Sequence, residues 1–177
     1  MSKILTIIFL FLSTSILSAN ERDTQLDKLF LDLKKDNSSS SSLIADQIWQ
    51  LWSTHPTDQK LTLILDQGSK LVQSKQLIKA ISVFTEVIKL DPAWAEAWNK
   101  RATVLYMVGE FQKSQDDIDK VLELEKRHFG ALAGQGMVNI QLKNYDKAKK
   151  SYQMVREIYP AMKSPKLMIE QIEELIK

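Results

Sequence analysis

Apolar residues along this chain recur with the spacing of an α-helix, and the pattern of small and bulky positions then returns at a fixed interval. Small side chains occupy positions 68, 102 and 136 (Gly68, Ala102 and Gly136), and larger apolar side chains occupy positions 84, 118 and 152 (Phe84, Ile118 and Tyr152). The period is 34 residues. A constant period in this range is typical of a solenoid, in which each unit buries its apolar stripe on the next. The pattern predicts three helix pairs, at residues 61–94, 95–128 and 129–162.

Further amphipathic segments flank the three pairs. Leucine and phenylalanine at positions 26, 29, 30 and 33 predict a helix at about 23–35, and Asn37 with the serines at 38–42 predicts a flexible linker. We expect the helix within 43–60 to cap the first pair and the helix within 163–177, which begins with Ser164 and Pro165, to cap the last. For the helix at 23–35 two alternatives stay open: its apolar stripe docks on the repeats, or it reaches a partner or a membrane surface.

The expected fold is therefore an all-α solenoid of three helix pairs with an N-terminal and a C-terminal capping helix. The chain divides into residues 1–19, 20–42 (helix and serine-rich linker), 43–60 (N-terminal cap), 61–94, 95–128, 129–162 and 163–177 (C-terminal cap).

The repeated residues also resemble the tetratricopeptide repeat. The middle unit carries the motif as Trp98, Ala102, Leu105, Ser114, Ile118 and Val121, and the third carries it as Leu132, Gly136, Ala148, Tyr152, Val155 and Pro160. Three residues depart from the usual pattern: Ser114 for alanine, Lys126 for proline and Asn139 for an apolar or aromatic residue. The resemblance implies a non-enzymatic scaffold or adaptor that binds a protein or peptide partner along a concave groove formed by the first helix of each unit.

The N-terminal segment, residues 1–19, has a different composition. Lys3 is followed by an almost purely apolar run at 4–12, and small residues, Ser18 and Ala19, precede Asn20. This order predicts a secretory signal peptide cleaved near Ala19, and hence a periplasmic or secreted protein of the cell envelope. The alternative is an uncleaved segment that anchors the protein in a membrane as an accessory subunit of an envelope complex.

Candidate chemistry is sparse. The formal net charge is only +2, so the composition does not indicate the strongly basic surface that binds nucleic acid. The chain has no cysteine, and its two histidines, His55 and His128, lie far apart in sequence, so neither a metal set nor a nucleophile with its base is evident. We therefore expect no enzyme activity, no metal, no cofactor and no small-molecule substrate. We interpret His128, at a unit boundary, as a turn or helix-start residue.

The groove residues follow from the family resemblance and the helical period. The face of the first helices that internal packing leaves unused holds Leu65, Ser69, Val72, Asn99, Thr103, Tyr106, Ala133, Met137 and Ile140. This face is nearly uncharged, with Lys100 and Arg101 only at its edge, so we expect it not to bind an acidic C-terminal tail. Self-association, by end-to-end stacking or through the N-terminal helix, is the alternative function.

Two finer hypotheses concern this groove. Gly130 and Ala133 beside Tyr106 and Met137 predict a recess that accepts a bulky apolar side chain, either from a partner or from the chain's own N-terminal helix through Phe30 or Leu33. Asn99 and Thr103 are candidates to bond the backbone of a partner. Separately, the polar row formed by Gln67, Arg101 and Gln135 predicts a half-buried hydrogen-bonding seam between units.

Overall fold

A computed structural model describes residues 21–35 and 40–177 of the chain, and within these ranges nine helices and no strand are found. Residues 21–35 form α1. The others are α2 (Ser41–Ser53), α3 (Gln59–Gln73), α4 (Leu77–Leu90), α5 (Ala95–Met107), α6 (Phe111–Leu124), α7 (Phe129–Gln141), α8 (Tyr145–Ile158) and α9 (Ser164–Leu175). The expected all-α solenoid is confirmed. The predicted signal peptide and the first half of the predicted linker lie outside the described residues, and the last two serines of that linker belong to α2.

Helices α3 to α8 form three antiparallel pairs that stack in chain order, and α9 packs on α8. The buried residues of α9 follow the same register as those of α7: Pro165, Ile169 and Ile172 are the repeat equivalents of Ala131, Gln135 and Val138. Helix α9 therefore occupies the place of the first helix of a further unit.

Within each pair, the small position and the bulky position are matched in size. An added Cβ at Gly68 would overlap the ring of Phe84, and one at Gly136 would overlap the ring of Tyr152. The middle pair has an alanine, Ala102, and its bulky position, 118, is the slimmer isoleucine. Glycine is thus used where an aromatic ring lies against the helix backbone.

The polar departure at position 114 also has a structural role. The hydroxyl of Ser114 is fully buried and donates a hydrogen bond of 2.8 Å to the carbonyl oxygen of Ala102. The bond joins the two helices of the middle pair where the family usually has an apolar contact, so the buried oxygen is satisfied.

The two N-terminal helices pack together on one side of the array. Leu26, Leu29, Phe30 and Leu33 of α1 and Ala45, Ile48 and Trp52 of α2 share a buried cluster with Phe129, Leu132 and Val155 from α7 and α8. Of the two alternatives for the helix at 23–35, docking on the repeats is the one observed, because the four side chains of its predicted apolar stripe are buried there.

The position of α2 differs from the expected cap. A cap would pack on α3, but no residue of α3 belongs to the cluster that buries α2. Instead, the backbone oxygen of Trp52 accepts a hydrogen bond of 2.8 Å from the indole of Trp94, just before α5, and His55 Nε2 lies 2.8 Å from Asp91. Helix α2 therefore crosses the starts of α5 and α7, because its tryptophans find aromatic partners there, and it leaves the outer face of α3 uncovered.

Candidate partner-binding site

A small recess opens between α5 and α7 on the predicted concave side. It encloses about 80 Å³ and has a mainly apolar lining. Helix α5 contributes Asn99, Ala102, Thr103 and Tyr106, α6 contributes Ser114 and Ile118, and α7 contributes Gly130, Ala131, Gly134, Met137 and Val138. The recess exists because Gly134 has no side chain: a Cβ placed there would make only an ordinary contact, 3.6 Å from Ile118. There is room for the end of one aliphatic side chain.

The structure brings together four of the nine predicted groove residues, Asn99, Thr103, Tyr106 and Met137. Met137 is 42% exposed and lies at the mouth, where its flexible thioether side chain can adapt to a ligand.

The other five predicted residues lie elsewhere. Leu65 is only 1% exposed and belongs, with Val72 against it, to the core of the first pair, so Leu65 presents no surface to a partner. The hydroxyl of Ser69 bonds the carbonyl oxygen of Leu65 within α3. Ala133 and Ile140 pack against the cluster formed by α8 and α9.

The polar groups of the recess are partly engaged within the chain. Asn99 donates from Nδ2 to Glu96 at 3.0 Å, and Thr103 donates from its hydroxyl to the backbone oxygen of Asn99 at 2.9 Å. One N–H of Asn99 and the hydroxyl hydrogen of Thr103 are therefore used within α5, while the second N–H of Asn99 and the hydroxyl oxygen of Thr103 keep their capacity to bond.

One end of the recess is closed by the chain itself. The indole of Trp49 on α2 lies directly over Gly130, so closely that a Cβ at position 130 would overlap it. The hypothesis that the helix at 23–35 fills the recess through Phe30 or Leu33 is therefore wrong, because α2 closes this end instead, through Trp49. Phe30 and Leu33 instead join the buried cluster of α1, α2, α7 and α8. No sequence signal pointed to Trp49, because helical spacing does not identify the distant helix that a side chain meets.

Behind Trp49, a buried histidine links three helices. His128 is the N-cap of α7: its Nδ1 accepts from the backbone amide of Ala131 at 3.1 Å, and its Nε2 lies 3.1 Å from the carboxylate of Glu96 on α5. Since Nδ1 accepts, the ring hydrogen is on Nε2 and is donated to Glu96. The prediction that His128 serves a helix start is confirmed.

The charge on Glu96 is stabilised although its side chain is fully buried. Burial pushes the pKa of Glu96 up, but the hydrogen bond from His128 and the ammonium of Lys100 outweigh this and leave the pKa below its ordinary value. Lys100 lies 3.2 Å from Glu96 Oε1, so its charge is already paired.

The second cation at the edge of the groove is paired too. Arg101 makes two bonds of 2.8 Å to the carboxylate of Asp117 on its own pair and donates at 3.0 Å to Thr85 on the preceding pair. The side chains of Arg101 and Asp117 are 19% and 6% exposed, so the predicted seam between units is present at this position. Gln67, the first member of the predicted row, is exposed instead, because α3 begins the array.

The seam returns one unit later with different residues. Gln135 donates from Nε2 to Asp119 at 3.2 Å and accepts from Ser151 at 2.9 Å. Asn139, the third departure from the family pattern, donates to Gln115 at 2.6 Å and extends the same network. The second and third members of the predicted row therefore have a structural role and are not free to bind a ligand.

The phenol of Tyr152 is buried between α7 and α8. Tyr152 packs on Gly136, and its burial, with the neighbouring Tyr106, raises the pKa of its phenol to about 12.

Within residues 21–35 and 40–177, no histidine, aspartate and glutamate side chains are grouped so that they could hold a metal ion. None of the described helices combines the length and apolar character needed to span a membrane.

Comparisons with known proteins agree with this architecture. A family model described as a tetratricopeptide repeat matches residues 130–176. A TPR repeat-containing protein of Rhizobium etli is 32% identical over 151 residues, which cover 85% of this chain and 74% of that protein. RNA polymerase II-associated protein 3 of Homo sapiens is 24% identical over 135 residues, and this chain spans only 20% of its length.

Two solved structures share the fold. The first TPR domain of Spaghetti (RPAP3), bound to the HSP90 peptide SRMEEVD, has a TM-score of 0.65 at 21% identity, covering 67% of this chain and 94% of that one. The Yersinia enterocolitica chaperone SycD, in complex with a peptide of the translocator YopD, has a TM-score of 0.63 at 12% identity, covering 68% of this chain and 98% of that one. With the shared repeat register and the similarity to the Rhizobium protein along most of both chains, this chain belongs to the tetratricopeptide repeat family.

Proposed function

We propose that this protein is a non-enzymatic interaction module that holds a segment of a partner protein against the recess between α5 and α7. The observation that carries the proposal is the recess itself: an apolar space of about 80 Å³, bordered by the exposed Met137, on a face formed by two neighbouring first helices. Apolar space with a few polar groups at its rim is the usual form of a ligand site.

The charges around the recess indicate what kind of segment binds. The peptide in the Spaghetti structure, SRMEEVD, ends in an acidic sequence, and such a tail needs unpaired cations in the groove. Here Lys100 is engaged by Glu96 and Arg101 by Asp117. We therefore propose a partner segment that inserts an aliphatic side chain beside Gly134 and is uncharged at that point.

We also propose that the protein acts in the cell envelope after export, on the basis of the charge, apolar run and small residues at 1–19. N-terminal sequencing of the protein recovered from cells tests this proposal. A start at Asn20 is expected, whereas recovery with residues 1–19 still attached would favour the anchored alternative.

Affinity capture with the wild type and a Met137→Glu variant tests the binding proposal. A carboxylate at the mouth of the recess should abolish retention of the partner, because an unpaired charge would have to be buried against apolar surface. The matched control is Met154→Glu on α8, where the methionine is 37% exposed and lies outside the recess. A partner retained by wild type and control but lost by Met137→Glu supports the proposal. Equal retention by all three proteins places the site elsewhere.

A further inference from the structure

The outer face of α3 is built like an internal contact surface of the array. In the second unit, Ala97 and Val104 pack into the core of the first pair, and in the third unit Ala131 and Val138 pack into the core of the second. The corresponding residues of the first unit, one repeat earlier, are Leu63 and Lys70.

This face has no neighbour within the described part of the chain. Leu63 is 61% exposed, whereas Ala97 and Ala131 are 0% and 1% exposed. The reason is the path of α2, which packs on α7 and α8 and not on α3. A large apolar side chain is therefore exposed at a position that the other units use for stacking.

Helix α9 presents a matching face at the other end of the array. Its buried side carries Ile169 and Ile172 against α8, and its opposite side carries Leu167, Gln171 and Glu174, all exposed. Leu167 is 56% exposed. These three residues stand at i, i+4 and i+7, so they share one stripe of the helix.

The two faces have the same spacing and opposite charge. On α3 the stripe consists of Leu63, Gln67 and Lys70, again at i, i+4 and i+7. First helices of successive units run in the same direction, so an α9 placed beside an α3 would set leucine level with leucine, glutamine with glutamine, and Lys70 with Glu174. Neither Lys70 nor Glu174 has an ion-pair partner among the described residues.

We propose that copies of this chain associate head to tail, with the α9 face of one copy (Leu167, Gln171 and Glu174) packed on the α3 face of the next (Leu63, Gln67 and Lys70). A two-fold arrangement of α3 on α3 sets Lys70 beside Lys70 if the helices are parallel and beside Leu63 if they are antiparallel. In the same way, α9 on α9 sets Glu174 beside Glu174 or beside Leu167. Only the head-to-tail arrangement pairs the charges, and such a contact is heterologous and extends the solenoid from copy to copy.

The association is weak and reversible. One helical stripe on each side buries much less than the roughly 1,200–2,000 Å² of a stable complex. The average mass should therefore rise gradually with protein concentration, and it should fall with added salt, because the Lys70–Glu174 pair would lie at the rim of the contact.

Sedimentation equilibrium of the full-length chain over two decades of concentration tests the proposal. The wild type should show a rising average mass, and both Lys70→Glu and Glu174→Lys should lose that rise, because each sets like charges level with each other. In an equimolar mixture both contacts between unlike variants are matched, Glu174 of the first with Lys70 of the second and the two exchanged charges with each other. The rise in average mass should therefore return, through chains in which the two variants alternate. The double variant Lys70→Glu/Glu174→Lys should regain the behaviour of the wild type.

The rescue and one matched control separate this contact from misfolding. Lys150→Glu on α8 makes the same charge change at an exposed site away from both faces and should leave the rise in mass intact. Met137→Glu should also leave it intact, because the end faces are independent of the recess. A wild type that stays monomeric at the highest concentration, a Lys70→Glu variant that associates as the wild type does, or a mixture that stays monomeric would each overturn the proposal.

Discussion

The imidazole of His128 lies flat against the indole of Trp52, with ring centroids 4.0 Å apart and planes 8° from parallel. The same imidazole caps α7 and bonds Glu96 on α5. One buried ring thus connects α2 to two first helices of the array, and α2 is an integral part of the fold.

Trp52→Ala should lower the free energy of unfolding by about 3–5 kcal/mol, the usual cost of removing a buried large aromatic side chain. Trp52→Phe should cost much less, because the indole Nε1 of Trp52 has no hydrogen-bond partner to lose among the residues that the structure describes. Urea denaturation of the three proteins measures both values. If both variants lost the same free energy of unfolding, an aromatic ring at position 52 would not be what stabilises the contact with His128.

Glu96→Gln should lower the free energy of unfolding by about 1–3 kcal/mol at pH 7, since it removes a charged acceptor from His128 and Lys100. The pKa of Glu96 is lower in the folded chain than its ordinary value of 4.5, so its stabilising contribution is complete above pH 4.5 and is lost as the pH falls through the folded pKa. The difference between wild type and variant should therefore shrink below pH 4.5.

Denaturation curves from pH 7 downward check this, with Glu123→Gln on the exposed surface of α6 as the matched control. We expect the control to stay within about 0.5 kcal/mol of the wild type at every pH. If the difference in the free energy of unfolding between the wild type and Glu96→Gln widened as the pH fell, Glu96 would not be a carboxylate in the folded protein.

Arg101 and Asp117 should be strongly coupled. Each single change to alanine should lower the free energy of unfolding by about 2–4 kcal/mol. The reason is that the remaining charged side chain loses its partner while it stays largely shielded from water. The double variant should cost less than the sum by about 0.5–3 kcal/mol. A double-mutant cycle in urea measures the coupling, and strict additivity would show that Arg101 and Asp117 do not stabilise each other within the middle pair.

Two glycines of α7 should respond to alanine in opposite directions. Gly136→Ala places a Cβ against the ring of Tyr152 and should destabilise the protein by about 1–3 kcal/mol. Gly134→Ala has room for its Cβ and should stabilise the helix by about 0.5–1 kcal/mol. Thermal unfolding of the two variants checks whether stability falls in Gly136→Ala and rises in Gly134→Ala. A loss of stability in both would mean that there is no room for a Cβ at position 134.

The sequence predicted the helix pairs because their determinants are local and periodic. Gly68, Ala102 and Gly136 recur at one constant interval, and each packs against the bulky position of its own pair, so the register alone identified them. The path of α2 could not be predicted this way. Trp52 and His128 lie far apart along the chain, and nothing in the spacing of either helix names the other.

The sequence predicted the groove only in part, because the helical period does not show which distant helix covers each face. On α5 the lining of the recess includes the predicted residues at 99, 103 and 106. On α7 the lining includes residues 130, 134 and 137, of which we predicted 130 and 137 but not 134. Ala133 and Ile140 are occupied by packing with α8 and α9, and that contact depends on how the C-terminal helix docks, which the helical period does not specify.

Gly134→Leu is the decisive variant for the binding proposal, because it fills the recess with an apolar side chain and adds no charge. The measurement is the affinity of the captured partner segment for the wild type and the variant, by isothermal titration, with thermal unfolding in parallel. We predict at least a tenfold loss of affinity, about 1.4 kcal/mol, in a variant that is folded and no less stable than the wild type. Unchanged affinity in that folded variant would contradict the claim that the space between α5 and α7 receives a side chain of the partner.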